Sequence, residues 1–483
     1  MAQKNIRQAT ISSLVWKLFE RGGNAVVQLV VQIIMARLLA PEQFGMLSIM
    51  LVFVNLGNVV VQSGMNTAII QADCIERVDC STVFWMSFAI SLVLYVAVFL
   101  SAPAIASFYS MPALVLPLRV LALLLVVNAY NAVQIALITR QLEMRKIFNA
   151  TVVSSVSSAA LGIGCALAGA GVWALVVQQL SYQVSSCIAH ALQLDWRPHF
   201  EFSVKSARRL FGFGSRLLVS GLLDQGYQSL SDLIIGRQFS ATALGYVSQG
   251  KKYPQAIGNI LDGAIQPVML SAVSRVQNNV IQVKRLVRRA LKTSTFLVIP
   301  AMSLFAVLAP ELVPLLLGSQ WGESIWFLQI YCIVYAMLPI HTANLQALNG
   351  MGRSDLFLRL EIVKKAYGVV WILFAAFVVR DIHFMVAGYL VTGLVSTVVN
   401  SWPNRRVIGY SYGEQIRDIA PAILLTLAAV LFCWLVSLCP VSGAVLMILQ
   451  IVVFAITYLG LARLLHVEAL EYLLSMLKEL TSR

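Results

Sequence analysis

Apolar residues run through this chain in stretches of about 20, broken at short intervals by polar punctuation. Each run is long enough for a helix to cross a hydrocarbon layer of roughly 30 Å. Spans are predicted at approximately 12–37, 44–65, 82–103, 114–138, 148–169, 172–193, 211–236, 243–268, 293–317, 323–349, 358–379, 383–400, 418–438 and 442–463, about fourteen in all. The expected class is an all-α polytopic membrane protein, with no stretch left over for a soluble domain.

Four of these spans are polar along one face. Residues three and four apart share a helix face, which aligns Lys17, Glu20 or Arg21, Asn24, Gln28 and Gln32 in the first span. The second span aligns Asn55, Asn58, Gln62 and Asn66, and the seventh aligns Arg216, Ser220, Asp224, Gln228 and Asp232 at strict intervals of four. The eighth carries Ser248, Lys251, Lys252, Gln255, Asn259 and Asp262. A charge facing lipid costs about 2.5–3.5 kcal/mol on insertion scales, so such faces belong against protein or water. Together they point to a hydrated cleft whose lining includes Asn24, Gln28, Gln62, Gln228 and Gln255. Two other readings stay open: Lys17 and Arg21 lie near enough to one end of their span to snorkel, and Glu20 or Asp224 can neutralise a neighbouring cation. Any ion coupling falls to Asp224 first and Glu20 second. Elsewhere, His341 in the tenth span reads as hydrogen-bonded structure rather than a proton carrier, and Glu361 and Lys365 have i,i+4 spacing for a pair.

The four polar spans are related by a repeat. A shift of 200 positions lays Ile34–Ser48 over Ile234–Ser248, matching Arg37 with Arg237, Gly45 with Gly245 and Ser48 with Ser248. Both copies fall at the join between a first and a second helix, and a weaker echo pairs Asn131–Leu137 with Ala343–Leu348. Six spans separate the copies, so both enter the membrane in the same direction. The expected organisation is a six-helix bundle over 1–193, a polar linker over 194–210, a second six-helix bundle over 211–400, and two additional spans with a tail over 401–483. The segment Val276–Lys292 puts Val276, Val280, Val283, Val287 and Leu291 on one face, with Lys284, Arg285, Arg288 and Arg289 largely off it. That pattern predicts a separate helix lying on the inner leaflet, its cations drawn to anionic lipid.

Charge then sets orientation. Of 35 Lys and Arg residues, about 23 lie on one side of the predicted spans and about three on the other. The basic side is the cytoplasmic one, which places both termini inside. The net charge of +14 follows from this bias and calls for no nucleic-acid partner. The first run, interrupted by Lys17, Glu20 and Arg21, does not read as a removable signal peptide. The seven cysteines, mostly in apolar runs and without paired CxxC spacing, read as free thiols rather than disulfides or metal ligands. Catalytic and nucleotide-binding fingerprints are missing, so neither an enzyme nor a cofactor is expected.

The segments Ala36–Gln71 (ARLLAPEQFGMLSIMLVFVNLGNVVVQSGMNTAIIQ), Ser81–Tyr109 and Leu118–Ile147 resemble the polysaccharide-exporter branch of the multidrug/oligosaccharidyl-lipid/polysaccharide superfamily. The similarity extends through Leu316–Ile330 (LLGSQWGESIWFLQI) and Asn349–Phe357, and is nearest to Wzx-type flippases of the colanic-acid exporter group. The resemblance implies alternating access moving an undecaprenyl-pyrophosphate-linked oligosaccharide across the bacterial inner membrane, for exopolysaccharide, capsule or O-antigen assembly. It implies partners among membrane lipids and glycan assembly proteins, a polymerase included. A cationic cleft suits the pyrophosphate, and that role is carried to Lys17, Arg21, Arg216, Lys251 and Lys252. The alternatives are a cation-coupled small-molecule exporter of the same superfamily and a membrane component of a glycan assembly complex with no transport of its own.

Overall fold

The computed structural model describes residues 23–24, 27–62, 64–72, 74–441 and 443–481, and every regular element among them is a helix. The chain divides into two compact units, one ending at Gly245 and one beginning at Tyr246.

The first unit contains α1 (Val27–Leu38), α2 (Pro41–Gln62), α3 (Met65–Gln71), α4 (Arg77–Phe108), α5 (Val115–Leu121), α6 (Leu123–Arg140), α7 (Met144–Leu167), α8 (Val172–Gln193) and α9 (Val204–Gln238). Its core gathers Met65, Ile69, Val83, Phe84, Val133 and Leu210, with Tyr130 and Trp196 packed against it. The polar segment before α9 is docked rather than loose. Trp85 Nε1 donates to the His199 carbonyl at 2.7 Å, the Ser203 amide donates to Thr82 Oγ1 at 3.0 Å, and Phe200 stacks on Trp85. Arg209 pairs with the nearly buried Asp79 at 2.8 Å. These ties hold the start of α9 to the start of α4.

The second unit contains most of α10 (Ala241–Arg275), then α11 (Val280–Leu317), α12 (Ser324–Ala336), α13 (Leu338–Gly350), α14 (Ser354–Leu373) with a π-helical turn at Phe374–Val379, α15 (Ile382–Val407), α16 (Tyr412–Ser437), α17 (Gly443–Leu464) and α18 (Glu468–Thr481). The helices after α15 are fastened to α11: Phe296 is buried with Leu425, Ala429, Phe454 and Tyr458, and the Tyr458 hydroxyl donates to the Phe296 carbonyl at 2.7 Å. α16 starts with a reciprocal cap in which the Glu414 amide donates to Ser411 Oγ and the Ser411 amide donates to Glu414 Oε2.

Among the described residues, eleven helices are long and apolar enough to cross a membrane. The chain is a multi-pass membrane protein, and outward-facing residues such as Leu100 and Ile456, 70% and 68% exposed, are the apolar surface that lipid covers. These coincide with eleven of the fourteen predicted spans, and the first, sixth and seventh are not among them. α8 and α9 are long enough but fall outside the eleven, because Gln178, Gln179, Gln183 and His190, and the charges of α9, lower their hydropathy; α1 is described only as a shorter apolar helix.

The predicted leaflet-bound helix at Val276–Lys292 is also corrected. Residues from Val280 onward are the first turns of the 38-residue α11. Val283, Val287 and Leu291 are fully buried against Ile408, Tyr410 and Ile419. Protein rather than lipid thus covers these three residues of the stripe, whereas Val280 is 43% exposed.

Candidate functional site

The candidate residues fall into three groups by placement. Lys17, Glu20 and Arg21 lie outside the described residues, and Arg216 is placed in α9 with its side chain outside the description. In the first unit, Asn24 is half-buried, and its Oδ1 accepts a hydrogen bond from Ser155 Oγ of α7 at 2.9 Å. Gln28 is half-buried, whereas Gln62, Asp224 and Gln228 are exposed. Asn58 of the α2 stripe accepts from Asn128 Nδ2 of α6 at 2.8 Å, so part of that stripe joins helices to one another.

In the second unit, Lys251 and Gln255 are half-buried and Lys252 is exposed. α10 has 35 residues, so the helical rise makes it roughly 50 Å long and sets Lys252 roughly 17 Å from its start. Among the described residues neither lysine takes part in an ion pair. The neighbouring Gln249 Oε1 and Tyr253 Oη are buried without a hydrogen-bond partner. α10 therefore carries unpaired cations and unmet polar atoms within one short segment, an arrangement that in an apolar layer calls for water or an anionic ligand.

Close helix approach frames these elements. A Cβ placed on Gly45 would lie 1.8 Å from the Ala241 carbonyl oxygen, and one on Gly245 would lie 2.0 Å from that of Pro41. The two repeat-matched glycines thus perform the same task at the starts of α2 and α10: each lets a neighbouring backbone approach where any side chain would collide. α2 is also tight against α9, where a Cβ on Gly221 would meet Val59 at 3.1 Å and one on Gly236 would meet Ile49 at 3.0 Å.

Polar networks also lie away from the four stripes, and the first two were missed at the level of sequence. Asn131 Oδ1 bonds to the His190 ring at 2.8 Å, both residues being buried. Asn344 bonds to Asn404 at 2.7 Å and to Gln415 at 3.0 Å, also in a buried setting. His341, read as structural, is bonded to Asn400 at 3.0 Å. Glu361 pairs with Lys364 at 2.5 Å.

Among the described residues, the largest charged cluster joins α11, α16 and α18. Lys284 pairs with Glu414 at 2.8 Å. Arg288 donates from Nε and Nη2 to both oxygens of Asp418 at 2.7 and 2.8 Å, and Lys292 reaches Asp418 at 3.4 Å and Glu468 at 2.5 Å. Its signal was present in sequence, because Lys284, Arg288 and Lys292 repeat every four residues and Glu414 and Asp418 do the same. All seven cysteines are free, and no group of metal-binding side chains occurs among the described residues.

Comparison with known proteins places the chain. It is 24% identical over 422 residues to the lipopolysaccharide biosynthesis protein WzxC of Escherichia coli (strain K12), covering 86% of this chain and 85% of that protein. It is 22% identical to the succinoglycan biosynthesis transport protein ExoT of Rhizobium meliloti (strain 1021), covering 70% and 69%. It is 24% identical to the teichuronic acid biosynthesis protein TuaB of Bacillus subtilis (strain 168), covering 79% of each. Among solved structures, the fold is shared with the lipid II flippase MurJ in its inward closed conformation, at a TM-score of 0.77 and 12% identity over 94% of this chain and 99% of that one. It is also shared with an inward-facing multidrug resistance MATE transporter of the MOP superfamily, at 0.62 and 16% identity over 80% and 94%. The polysaccharide biosynthesis protein family matches residues 34–326, more than half of the chain, and the chain belongs to that family.

Proposed function

We propose that this protein is a flippase that carries a lipid-linked oligosaccharide, joined to its polyprenyl chain through a pyrophosphate, across a bacterial inner membrane. The observation that carries the reading is the exposed Lys252, beside Lys251, within the long helix α10 and without an ion-pair partner among the described residues. A cation so placed is costly in an apolar layer unless water or an anion meets it, and a pyrophosphate supplies two negative groups for charge-assisted hydrogen bonds. Membership of the polysaccharide biosynthesis family and the names of WzxC, ExoT and TuaB support a glycan cargo.

In this reading the protein performs no covalent chemistry. The polar faces of the first, second, seventh and eighth spans line a water-accessible path, with Asn24, Gln28, Gln62, Gln228 and Gln255 facing the sugars. Lys17, Arg21, Arg216, Lys251 and Lys252 attract the pyrophosphate, and Asp224, with Glu20 second, is the site of any ion coupling. Both termini face the cytoplasm, where the basic loops lie. The two six-helix repeats alternate in exposing the path, and the helices after α15 are an addition to them.

The test is flipping of a fluorescent undecaprenyl-pyrophosphate oligosaccharide by the purified protein in liposomes, scored by access of a membrane-impermeant reagent. Wild-type protein is expected to flip it, and K251Q/K252Q to flip at least about tenfold slower at normal abundance. No flipping of several such lipids, with export of cationic dyes instead, would replace this reading with the drug-exporter one, which the shared fold with a multidrug transporter keeps in view.

A further inference from the structure

Two adjoining hollows in the second unit have no place in the transport reading. The first, about 870 Å³, lies among α11, α16, α17 and the start of α18. Its wall is largely apolar, with Phe296, Leu424, Leu425, Ala428 and Leu461, and Arg288, Lys292 and Arg417 also line it. The second, about 620 Å³, shares Arg288, Lys292 and Glu468 with the first and adds Lys284, Arg285 and Arg289. A greasy slot thus opens onto a basic chamber.

The charges there do not balance internally. Lys284, Arg288 and Lys292 are matched by Glu414, Asp418 and Glu468. Arg285, Arg289 and Arg417 are three further cations, all exposed, and none pairs with a carboxylate among the described residues. Arg289 instead lies over the Tyr472 ring, 4.8 Å from its centroid. Backing this surface, Val283, Val287 and Leu291 are fully buried, so the cationic side of α11 cannot rotate away. A fixed cluster with surplus positive charge beside an apolar slot matches a molecule that is anionic at one end and hydrocarbon at the other.

We propose that these hollows bind an anionic glycerophospholipid of the surrounding membrane, an acyl chain lying along Leu424, Leu425 and Leu461 and the phosphate held by Arg285, Arg289 and Arg417. The cavity is lined by α11 and by the helices after α15, and none of the residues assigned to the cargo lines it, so the lipid is a resident ligand that ties α11 to α16 and α18.

The probe is phosphatidylglycerol, titrated onto the purified full-length protein in nonionic detergent and counted as retained lipid by native mass spectrometry. Wild-type protein is expected to retain phosphatidylglycerol at least about tenfold more tightly than phosphatidylcholine, and R285Q/R289Q/R417Q to lose that preference. L424W, which crowds the slot from an exposed position, is expected to weaken phosphatidylglycerol without touching the cations. If the triple variant does not fold, R285Q and R417Q taken singly are each expected to weaken retention about threefold or more. Equal retention of the zwitterionic lipid, or unchanged retention in the arginine variants, would overturn the proposal. So would two competition results: displacement by millimolar inorganic phosphate would mark a bare anion site, and displacement by equimolar undecaprenyl phosphate would mark a cargo subsite. Because retention is read without transport, its failure is separate from failure of the flippase reading.

Discussion

Replacing Asp418 by Asn should destabilise the second unit far more than the same change at Glu414, although both carboxylates answer cations on α11. The Asp418 side chain is 3% exposed and receives Arg288 Nε at 2.7 Å, Arg288 Nη2 at 2.8 Å and the Tyr410 hydroxyl at 2.8 Å. Removing one member of a fully buried ion pair costs about 3–5 kcal/mol, because its partner is left charged and unmatched. Arg288 is 36% exposed, so water recovers part of that loss, and about 2–3 kcal/mol is the expected cost of D418N. Glu414 is 36% exposed and Lys284 26%, which puts E414Q at about 0.5–1 kcal/mol. In purified protein heated in detergent, D418N should lower the midpoint by about 4–10 °C and E414Q by no more than about 3 °C. A double-mutant cycle with R288Q sharpens the test, since contacting residues couple by about 0.5–3 kcal/mol whereas independent ones add. Equal losses for D418N and E414Q, or additive losses for D418N and R288Q, would refute the claim that burial makes this pair dominant.

Three further outcomes follow from the geometry. Gly45→Ala and Gly245→Ala should each disturb the start of α2 or α10, since the added methyl would sit within 2.0 Å of a carbonyl oxygen; about 1–3 kcal/mol of lost stability is expected in thermal unfolding, and wild-type stability in both would contradict the close approach. Cysteine at Gln28, Gln62, Gln228 or Gln255, in a functional cysteine-free background, should react with an impermeant thiol reagent in at least one condition, and protection at all four would remove the water-accessible path. Asp224→Asn should weaken gradient-driven flipping more than cargo binding, whereas unchanged gradient dependence would take Asp224 out of the coupling role.

The membrane class, the helix order and the family resemblance were legible in sequence because they depend on long apolar runs and on local motifs. The separate leaflet helix was not, because amphipathic periodicity reports that a face is buried without saying by what. The stripe of Val283, Val287 and Leu291 fits a lipid surface and a neighbouring helix equally well until Tyr410 and Ile419 are placed beside it. The number of crossings is not fixed by average hydropathy for a related reason. α8 and α9 have the length of spans, but the glutamines and His190 of α8 and the largely exposed charges of α9 lower their average hydropathy, which by itself cannot tell a polar membrane-spanning helix from a helix outside the membrane. At the site, sequence named polar residues but not their partners: Asn24 Oδ1 accepts from Ser155 and Asn58 Oδ1 from Asn128.

The repeat illustrates why partners matter more than identities. Asn131 of α6 holds His190 of α8, and Asn344 of α13 holds Asn404 of α15. The two pairs are related by shifts of 213 and 214 positions, 13 and 14 more than the 200 that matches the glycines. His190 and Asn404 differ in type, so sequence comparison sees no match, but each supplies a polar ring or amide to an asparagine on the fourth helix of its repeat. Such buried bonds between helices are individually modest, about 0.6–2 kcal/mol, and their stronger effect is on register, because sliding either helix would strand a polar group in an apolar core. In the second copy the same asparagine also accommodates Gln415 of α16, three residues before Asp418. The helix beyond the repeat is therefore fixed at its first turns by two polar anchors, one taken from the repeat's own clasp and one from the cationic row of α11.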